Sequence, residues 1–187
     1  MKEHILPAIR LTIVCILFFC GIYTLFIMGI AQAAPAKGNG QTVIVNGKVA
    51  GYKLIGQKFT DDKYFWGRPS AVDYNAAGSG GSNKGPTNPD YLKTVQDRLD
   101  SFLVHNPSVK KEEIPSELVT ASGSGQDPDL SPEAAYVQAR RIAAVRNIPE
   151  EKVKELVRQH IDKPLLGLFG TERVNVLQLN IDLDNLK

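Results

Sequence analysis

Residues 64–89 read YFWGRPSAVDYNAAGSGGSNKGPTNP, a stretch in which fourteen of the 26 residues are Gly, Pro, Ser or Asn. These residue types favour turns, because glycine adopts positive φ, proline fixes φ, and Ser and Asn side chains bond to nearby backbone. Aromatic residues and one arginine interrupt them: Tyr64, Phe65, Trp66, Tyr74 and Arg68. A flexible linker does not need aromatic side chains. The composition therefore predicts an ordered surface loop, and surface loops are where binding sites concentrate.

A long apolar segment near the N-terminus predicts a membrane-spanning helix. Leu11 to Ile30 contains no charged residue, and twenty residues in a helix span about 30 Å, the thickness of the hydrocarbon core of a bilayer. A cleaved secretory signal is the alternative, since residues 31–33 (AQA) have the small-x-small form of a cleavage site. The apolar part of a signal is usually only about 7–15 residues long, however, which favours a retained anchor.

Flanking charges predict the orientation of this segment. Lys2 and Arg10 precede it and only Lys37 lies close behind it, and basic residues favour the cytoplasmic side. We therefore expect a single-pass protein of the plasma (inner) membrane with its C-terminal domain on the outer side. The expected parts are a cytoplasmic tail (1–10), a transmembrane helix (11–31) and a soluble extracytoplasmic α+β domain (32–187).

Glycines and cysteines inside the apolar segment have separate interpretations. Gly21 and Gly29 are small enough to permit close packing against another membrane helix. Cys15 and Cys20 are both of the cysteines in the chain. Residues 32–187 therefore have neither a disulfide framework nor a thiol nucleophile.

The charge of the residues that follow the apolar segment argues against nucleic acid as a partner. Residues 32–187 carry 20 Lys and Arg and 19 Asp and Glu. Nucleic-acid-binding domains usually show a basic patch or stripe, and no basic cluster occurs here.

Hydrophobic periodicity after the anchor predicts a single exported α+β domain of mixed strands and about three helices. Strands are expected within residues 41–60 around the hairpin dipeptide Asn46-Gly47, at 118–120, and at 173–183. In the last segment the apolar parity changes after Val176, which suggests a bulge or a strand buried on both faces. Helices are expected from Asn88-Pro89 to about residue 104, from 132 to 146, and from Pro149 onward.

A phosphate-binding loop does not fit the glycine tract. That pattern needs glycine directly before the lysine and Ser or Thr directly after it, whereas Asn83 and Gly85 flank Lys84. Consecutive glycine amides ahead of a helix can still form a concave donor surface for an anion or a carbonyl. A purely structural loop is the simpler interpretation.

No catalytic or metal-binding set is expected. A second turn-rich tract, residues 121–128 (ASGSGQDP), leads to Ser131. Neither this tract nor the glycine tract at 78–85 matches the G-x-S-x-G pattern of serine hydrolases, and His105 and His160 are interpreted as packed or surface histidines. Asp127 and Asp129 lack the spacing of a calcium loop, so we interpret them as favourable charges near the helix that starts at Ser131. Arg68 is expected to bind a carboxylate or loop carbonyls, either to fix the loop or to grip a partner.

Several motifs in order resemble the C subunits of Kdp-type potassium-transporting ATPases, and the resemblance covers nearly the whole chain. The first group lies in the long loop: Gly56-Gln57-x-Phe59, Tyr64-Phe65-x-Gly67-Arg68-Pro69-Ser70-Ala71, Tyr74-Asn75 and Ser79-Gly80-Gly81-Ser82-Asn83-x-Gly85-Pro86-x-Asn88-Pro89. The second group follows it: Ala121-Ser122-Gly123-Ser124-Gly125-x-Asp127-Pro128, Ser131-Pro132, Gln138-x-x-Arg141 with Arg146, and Arg173-Val174-Asn175-Val176-Leu177.

This resemblance implies a non-catalytic accessory subunit that binds a channel-like potassium-binding subunit and a P-type ATPase subunit in a lipid bilayer. Two roles are implied: a cap at the outward potassium entrance, and a chaperone that raises the ATP affinity of the catalytic subunit. The second role would make Ser79, Gly80 and Gly81 nucleotide contacts and ATP a ligand, although no cofactor is expected otherwise. An outward domain does not meet cytoplasmic ATP, so the expected topology favours the cap.

The loops supply the residues expected to face the partner subunits or the ion entrance: Arg68, Asn75, Ser82, Asn83, Asn88, Ser122, Ser124 and Asp127. Two other classes of protein remain open on the residues alone. One is a membrane-anchored ligand-binding module that acts by itself. The other is a secreted hydrolase, which the missing nucleophile–base pair disfavours.

Overall fold

The structure is a computed structural model that describes residues 2–186, and it divides into two compact units, Met1–Gln41 and Thr42–Lys187. The first unit contains a continuous apolar helix made of α1 (Lys2–Cys15), a π-helical stretch (Ile16–Tyr23) and α2 (Thr24–Ala31), followed by turns up to Gln41. Within it, Glu3–Ala31 has a mean hydropathy of 2.6 in its most apolar window. This helix is long and apolar enough to cross a membrane, as the sequence predicts.

The second unit begins with the predicted hairpin. Strands β1 (Thr42–Val45) and β2 (Lys48–Tyr52) pair antiparallel. The turn residues Asn46 and Gly47 have φ values of 51° and 75°, and a tight hairpin turn of this kind requires positive φ at both positions. The expected strand content beyond Tyr52 is absent, because the described residues 53–88 contain no helix or strand.

Three helices match the predicted positions. They are α3 (Pro89–His105), α4 (Pro132–Arg146) and α5 (Glu150–Gln159). Asn88 and Ser131 cap the first two, each accepting a hydrogen bond from a backbone N–H three residues later. Because proline lacks an N–H and has helical φ, it fits the first position after each cap.

One further strand prediction is wrong, and another is right only for its first three residues. Residues 116–118 form a short 3₁₀ helix, and Thr120 bonds back to the Ser116 carbonyl instead of pairing in a sheet. At the C-terminus only Arg173–Asn175 is a strand, called β5, and Val176–Asn185 is a fourth helix, α6. The change of apolar parity marks this transition, because the buried residues of α6 recur at helical spacing: Val176, Leu177, Leu179, Asn180 and Leu183.

A small three-stranded sheet lies in the C-terminal half of the second unit. Strand β5 lies between β3 (Asp129–Leu130) and β4 (Ile161–Asp162), and both pairings are antiparallel. Helices α4, α5 and α6 pack around this sheet. The core between them includes Leu130, Ile142, Val153, Val157, Val174, Leu179 and Leu183, each no more than 2% exposed.

The long loop (residues 53–88) enters this core through Phe65 and Trp66. The side-chain amide of Asn180 accepts from the Phe65 N–H (2.8 Å) and donates to the Phe65 carbonyl (2.9 Å). Gln138 makes the same pair of bonds to Trp66, at 2.9 and 3.1 Å. These two side-chain amides bond to the loop backbone as a neighbouring β-strand would. The N–H and C=O groups of Phe65 and Trp66 are therefore satisfied.

Arg141 lies beneath the same segment. Its guanidinium donates to Asn106 Oδ1 (3.0 Å) and Gln138 Oε1 (2.8 Å), and it stacks 4.3 Å from the centre of the Trp66 ring. Burial lowers the pKa of Arg141 to about 10. The side chain therefore stays charged at neutral pH and holds Gln138 in position.

We expect Asn180→Ala to lower the free energy of unfolding by about 2–4 kcal/mol, because it leaves two buried backbone groups of Phe65 without partners. Urea denaturation of the full chain in detergent, followed by Trp66 fluorescence, measures this. Asn185→Ala is the control, because Asn185 is an exposed residue of the same helix. Equal effects of the two substitutions would contradict the structural role of Asn180.

Candidate docking surface

The long loop packs against a second loop, the short loop (residues 119–128). Three backbone N–H groups donate between them: Gly56 to Gln126 O (2.8 Å), Gly80 to Ser124 O (2.8 Å) and Ser122 to Pro69 O (3.1 Å). Both segments were singled out by their turn-forming composition, and the structure brings them together. We call the face that they share, residues 67–85 and 121–127, the two-loop surface.

An ion pair joins the loops where they leave the core. Arg68 Nη1 lies 3.0 Å from Asp127 Oδ2, and the two side chains are 25% and 29% exposed. The Tyr74 hydroxyl donates to the Arg68 carbonyl. Burial, followed by the charge of Asp127, raises the pKa of Tyr74 to about 12, so the hydroxyl remains a donor. Of the two roles predicted for Arg68, this geometry supports fixing the loop.

The two aspartates that precede Ser131 make contacts that the sequence did not predict. Asp127 accepts from the Asp129 N–H (3.1 Å) in addition to its pair with Arg68. Asp129 accepts from Asn175 Nδ2 (3.1 Å) and lies 3.5 Å from Arg173 Nε. Burial raises the pKa of Asp129 despite these partners. Both carboxylates therefore anchor the ends of loops and strands.

A bend at residues 70–75 has an unusual backbone. Asp73 and Tyr74 both have positive φ, 52° and 59°, a region that costs a non-glycine residue roughly 1–3 kcal/mol. Ser70 Oγ holds the bend by accepting from the N–H groups of Val72 (3.1 Å) and Tyr74 (2.9 Å). Such a conformation persists only where its surroundings define it, so this part of the loop has a fixed shape.

Glycines permit the close approach of the loops. Gly125 has φ +69°, and a Cβ there would lie 2.6 Å from Val72 Cγ2 and 2.7 Å from Gly80 O. A Cβ on Gly81 would lie 3.1 Å from the Gly123 carbonyl. By contrast, a Cβ on Gly123 would meet nothing within 4 Å. Among the glycines of the two-loop surface, Gly125 is thus the position where a side chain is least tolerated.

The residues expected as nucleotide contacts lie on the two-loop surface, and two of them already bind within the chain. Ser79 Oγ donates to the Ser124 carbonyl (3.0 Å), as the Gly80 N–H does. Two of the donors that this tract could offer to an anion are therefore engaged by one carbonyl oxygen. Gly81 has no side chain, which leaves room for the Gly123 carbonyl.

The remaining predicted residues of the two-loop surface differ in exposure. Asn75 is exposed and its carbonyl accepts from Gln126 Nε2 (2.8 Å). Asn83 is exposed with φ 50°, and Ser124 is exposed as well. Ser82 is half-buried. Ser122 is 2% exposed, and its hydroxyl has no hydrogen-bond partner among the described residues.

Three predicted residues lie elsewhere. Asn88 is the cap of α3 and accepts from the Tyr91 N–H (3.0 Å). Gly21 and Gly29 lie in the N-terminal helix, where a Cβ on either would meet no atom within 4 Å. Their packing against another membrane helix stays a prediction.

A groove of about 550 Å³ borders the two-loop surface, between the long loop and α3. Its lining includes Trp66, Arg68, Tyr74, Arg98 and His105. Arg98 donates to the Val119 carbonyl (3.2 Å), and His105 Nδ1 lies 2.8 Å from Asp62 Oδ1. Within residues 2–186, no three His, Cys, Asp or Glu side chains are placed to hold a metal ion.

Sequence reasoning missed residues that assemble this surface. Gln126 and Gly125 act through contacts with residues about 50 positions earlier in the chain, and Ser70 acts through bonds to the backbone of Val72 and Tyr74. Gln138 and Asn180 carried a usable signal. Each is a polar residue on the apolar face of a helix, and buried polar groups need partners.

Comparison with known proteins assigns a family. The model of the family described as K⁺-transporting ATPase, c chain, matches residues 5–185. The potassium-transporting ATPase KdpC subunit of Flavobacterium psychrophilum is 58% identical over 185 residues, which cover 99% of this chain and 100% of the relative. The KdpC subunits of Bacteroides fragilis strain YCH46 (50%, 99% and 98% covered) and Caldanaerobacter subterraneus subsp. tengcongensis (47%, 98% and 95% covered) are also similar.

The fold and the match together define a subunit of a multi-subunit potassium transport ATPase. The chain belongs to the K⁺-transporting ATPase c chain (KdpC) family. Membership implies partner subunits, and together with the apolar N-terminal helix it indicates association with a membrane.

We expect Gly125→Ala to separate the two loops, because the new methyl group meets Val72 and Gly80 and positive φ disfavours alanine. The free energy of unfolding should fall by about 1–3 kcal/mol. Hydrogen exchange at the Gly80 amide, which bonds across the loops, should become faster. Gly123→Ala is the matched control, since its Cβ has open space. Unchanged exchange at Gly80 in Gly125→Ala would refute this account.

Proposed function

We propose that this chain is a non-catalytic accessory subunit that stabilises the association of a channel-like potassium-binding subunit with a P-type ATPase subunit. We further propose that its second unit caps the outward potassium entrance. ATP hydrolysis would then take place in the partner. The observation that carries the proposal is the two-loop surface, because two polar segments are locked into one fixed face by bonds between them.

The chemistry of this face suits a protein partner. Asn75, Asn83 and Ser124 are exposed and offer amide and hydroxyl groups. Protein interfaces use such groups for about one hydrogen bond per 100–200 Å². The lining of the groove beside this face includes the aromatic side chains of Trp66 and Phe102, which suits an inserted apolar or aromatic side chain.

The alternative role, raising the ATP affinity of the catalytic subunit, receives less support. A nucleotide phosphate at Ser79 and Gly80 would have to replace the bonds that both donors make to Ser124. The charge bias around the apolar helix also favours an outward domain, which does not meet cytoplasmic ATP. A ligand-binding module acting alone fits poorly with membership in a family of ATPase subunits.

We expect Gly123→Arg to weaken assembly. Gly123 is exposed and a Cβ there meets no atom within 4 Å, so the long side chain should leave the fold intact and obstruct the two-loop surface. Recovery of the channel-like and ATPase subunits with a C-terminally tagged chain should fall at least about tenfold, with a parallel loss of K⁺ uptake.

Val104→Arg is the control for this experiment. Val104 is 77% exposed at the end of α3, outside the two-loop surface. Co-purification and uptake should stay at the level of the unsubstituted chain. Normal assembly and uptake with Gly123→Arg would remove the two-loop surface from the proposal.

We expect the C-terminus to lie outside the cytoplasm, because Lys2 and Arg10 precede the apolar helix. Alkaline phosphatase fused after Lys187 should be active in whole cells, since it folds only in an oxidising compartment. Green fluorescent protein fused at the same position should give no fluorescence if the fusion is exported by the general secretion route. The opposite pattern would overturn the cap and favour the ATP-related role.

A further inference from the structure

An apolar segment of the second unit contains no residue used so far. It joins β4 to β5 and has the sequence PLLGLFG, residues 164–170, which we call the apolar knob. Its four large side chains are strongly exposed: Leu165 (69%), Leu166 (80%), Leu168 (80%) and Phe169 (64%). Single exposed apolar residues are ordinary, but adjacent ones that form a patch mark a contact site.

The knob is locally ordered. Leu165 N–H donates to Phe169 O and Phe169 N–H donates to Leu165 O, each at 3.0 Å. Gly167 N–H donates to Pro164 O (2.9 Å), and Leu168 N–H donates to Leu165 O (3.1 Å). Leu166 and Gly167 have φ values of 55° and 72°. The knob is therefore a turn with a defined shape that points its apolar side chains outward.

We propose that the apolar knob inserts into the interfacial region of the lipid bilayer and gives the second unit its own contact with the membrane. The hydrogen bonds inside the knob favour lipid as the occupant. A protein partner can satisfy exposed backbone N–H groups, whereas hydrocarbon cannot. Four N–H groups of the knob already have partners within it, and its side chains carry no polar atom that would be lost to hydrocarbon.

Chain length supports the same occupant. Ten residues, 32–41, connect the end of α2 at Ala31 to the start of β1 at Thr42, and ten residues span at most about 35 Å. If the apolar helix crosses the bilayer, this connection keeps the second unit close to the lipid surface. Even a weak apolar contact then forms readily, because a short tether gives an effective concentration of roughly millimolar.

The residue before the knob fits an interfacial position. Lys163 directly precedes Pro164, and a lysine beside an inserted apolar segment can extend its amine to lipid phosphates while its stem stays near the hydrocarbon. Insertion of a turn with leucine and phenylalanine side chains would reach about 5–10 Å into the headgroup boundary. This contact does not depend on which side of the membrane the second unit occupies.

Depth-dependent quenching tests the proposal on the full chain reconstituted alone in phosphatidylcholine vesicles. Leu168→Trp and Phe169→Trp place a reporter on the knob, and Val104→Trp places one at a similarly exposed position on α3. Trp66 is the only tryptophan of the unsubstituted chain, which supplies the background. The probe is phosphatidylcholine brominated on its acyl chains, with iodide as the aqueous quencher.

Brominated lipid should quench both knob reporters at least about twofold more than the Val104→Trp reporter, and iodide should quench them less. Equal quenching of all three by lipid would overturn the proposal. Protection of the knob reporters that arises only when the partner subunits are added would also overturn it, and would assign the knob to a protein interface. Because vesicles without partners suffice, this result is independent of the co-purification experiment on the two-loop surface.

Discussion

The hydrogen bonds that Gln138 and Asn180 make to the backbone of Trp66 and Phe65 are the constraint on which the rest of the second unit depends. A loop without helix or strand cannot enter a core unless its buried N–H and C=O groups find partners. Side-chain amides have one donor and one acceptor in the right geometry to serve both groups of a residue. Helices α4 and α6 each supply one such amide, and Phe65 can therefore be fully buried.

The outer loops are well ordered because the backbone of Phe65 and Trp66 is attached to the core. Phe65 and Trp66 fix the start of the segment, and Arg68, Ser70 and Tyr74 then define its course over the next eight residues. The short loop is fixed in turn by Asp127 and by the carbonyls of Ser124 and Gln126. A surface made of turn-forming residues is thus rigid because it continues a packed core, and not because its own composition is rigid.

Local signals predicted the parts of the fold that local chemistry controls. Asn46-Gly47 gave the hairpin, and the Asn88-Pro89 and Ser131-Pro132 pairs gave the starts of α3 and α4. Residues 173–183 were predicted as one strand because apolar and polar residues alternate through Val176. The spacing of apolar residues from Val176 to Leu183 suits a helix equally well. Asn180 decides in favour of the helix through a bond to Phe65, a residue 115 positions away, which no local pattern contains.

The site was predictable to a similar depth. Turn composition identified both loops, and Arg68 was expected to bind a carboxylate or loop carbonyls. The pairing of the loops was not visible, because Gly125 and Gln126 acquire their roles only when residues 70–80 lie beside them. The ion pair of Asp127 was not visible for the same reason, since its partner Arg68 lies 59 residues earlier in the chain.

The positive φ values of Asp73 and Tyr74 have a consequence for how the two-loop surface would meet a partner. Their conformation is held by Ser70 and by the Arg68 carbonyl, so the entropy lost in ordering this bend is already included in the free energy of folding. Binding energy is then not consumed in immobilising the loop, which is the advantage of a preorganised interface. A subunit built in this way can associate tightly through a small polar contact area.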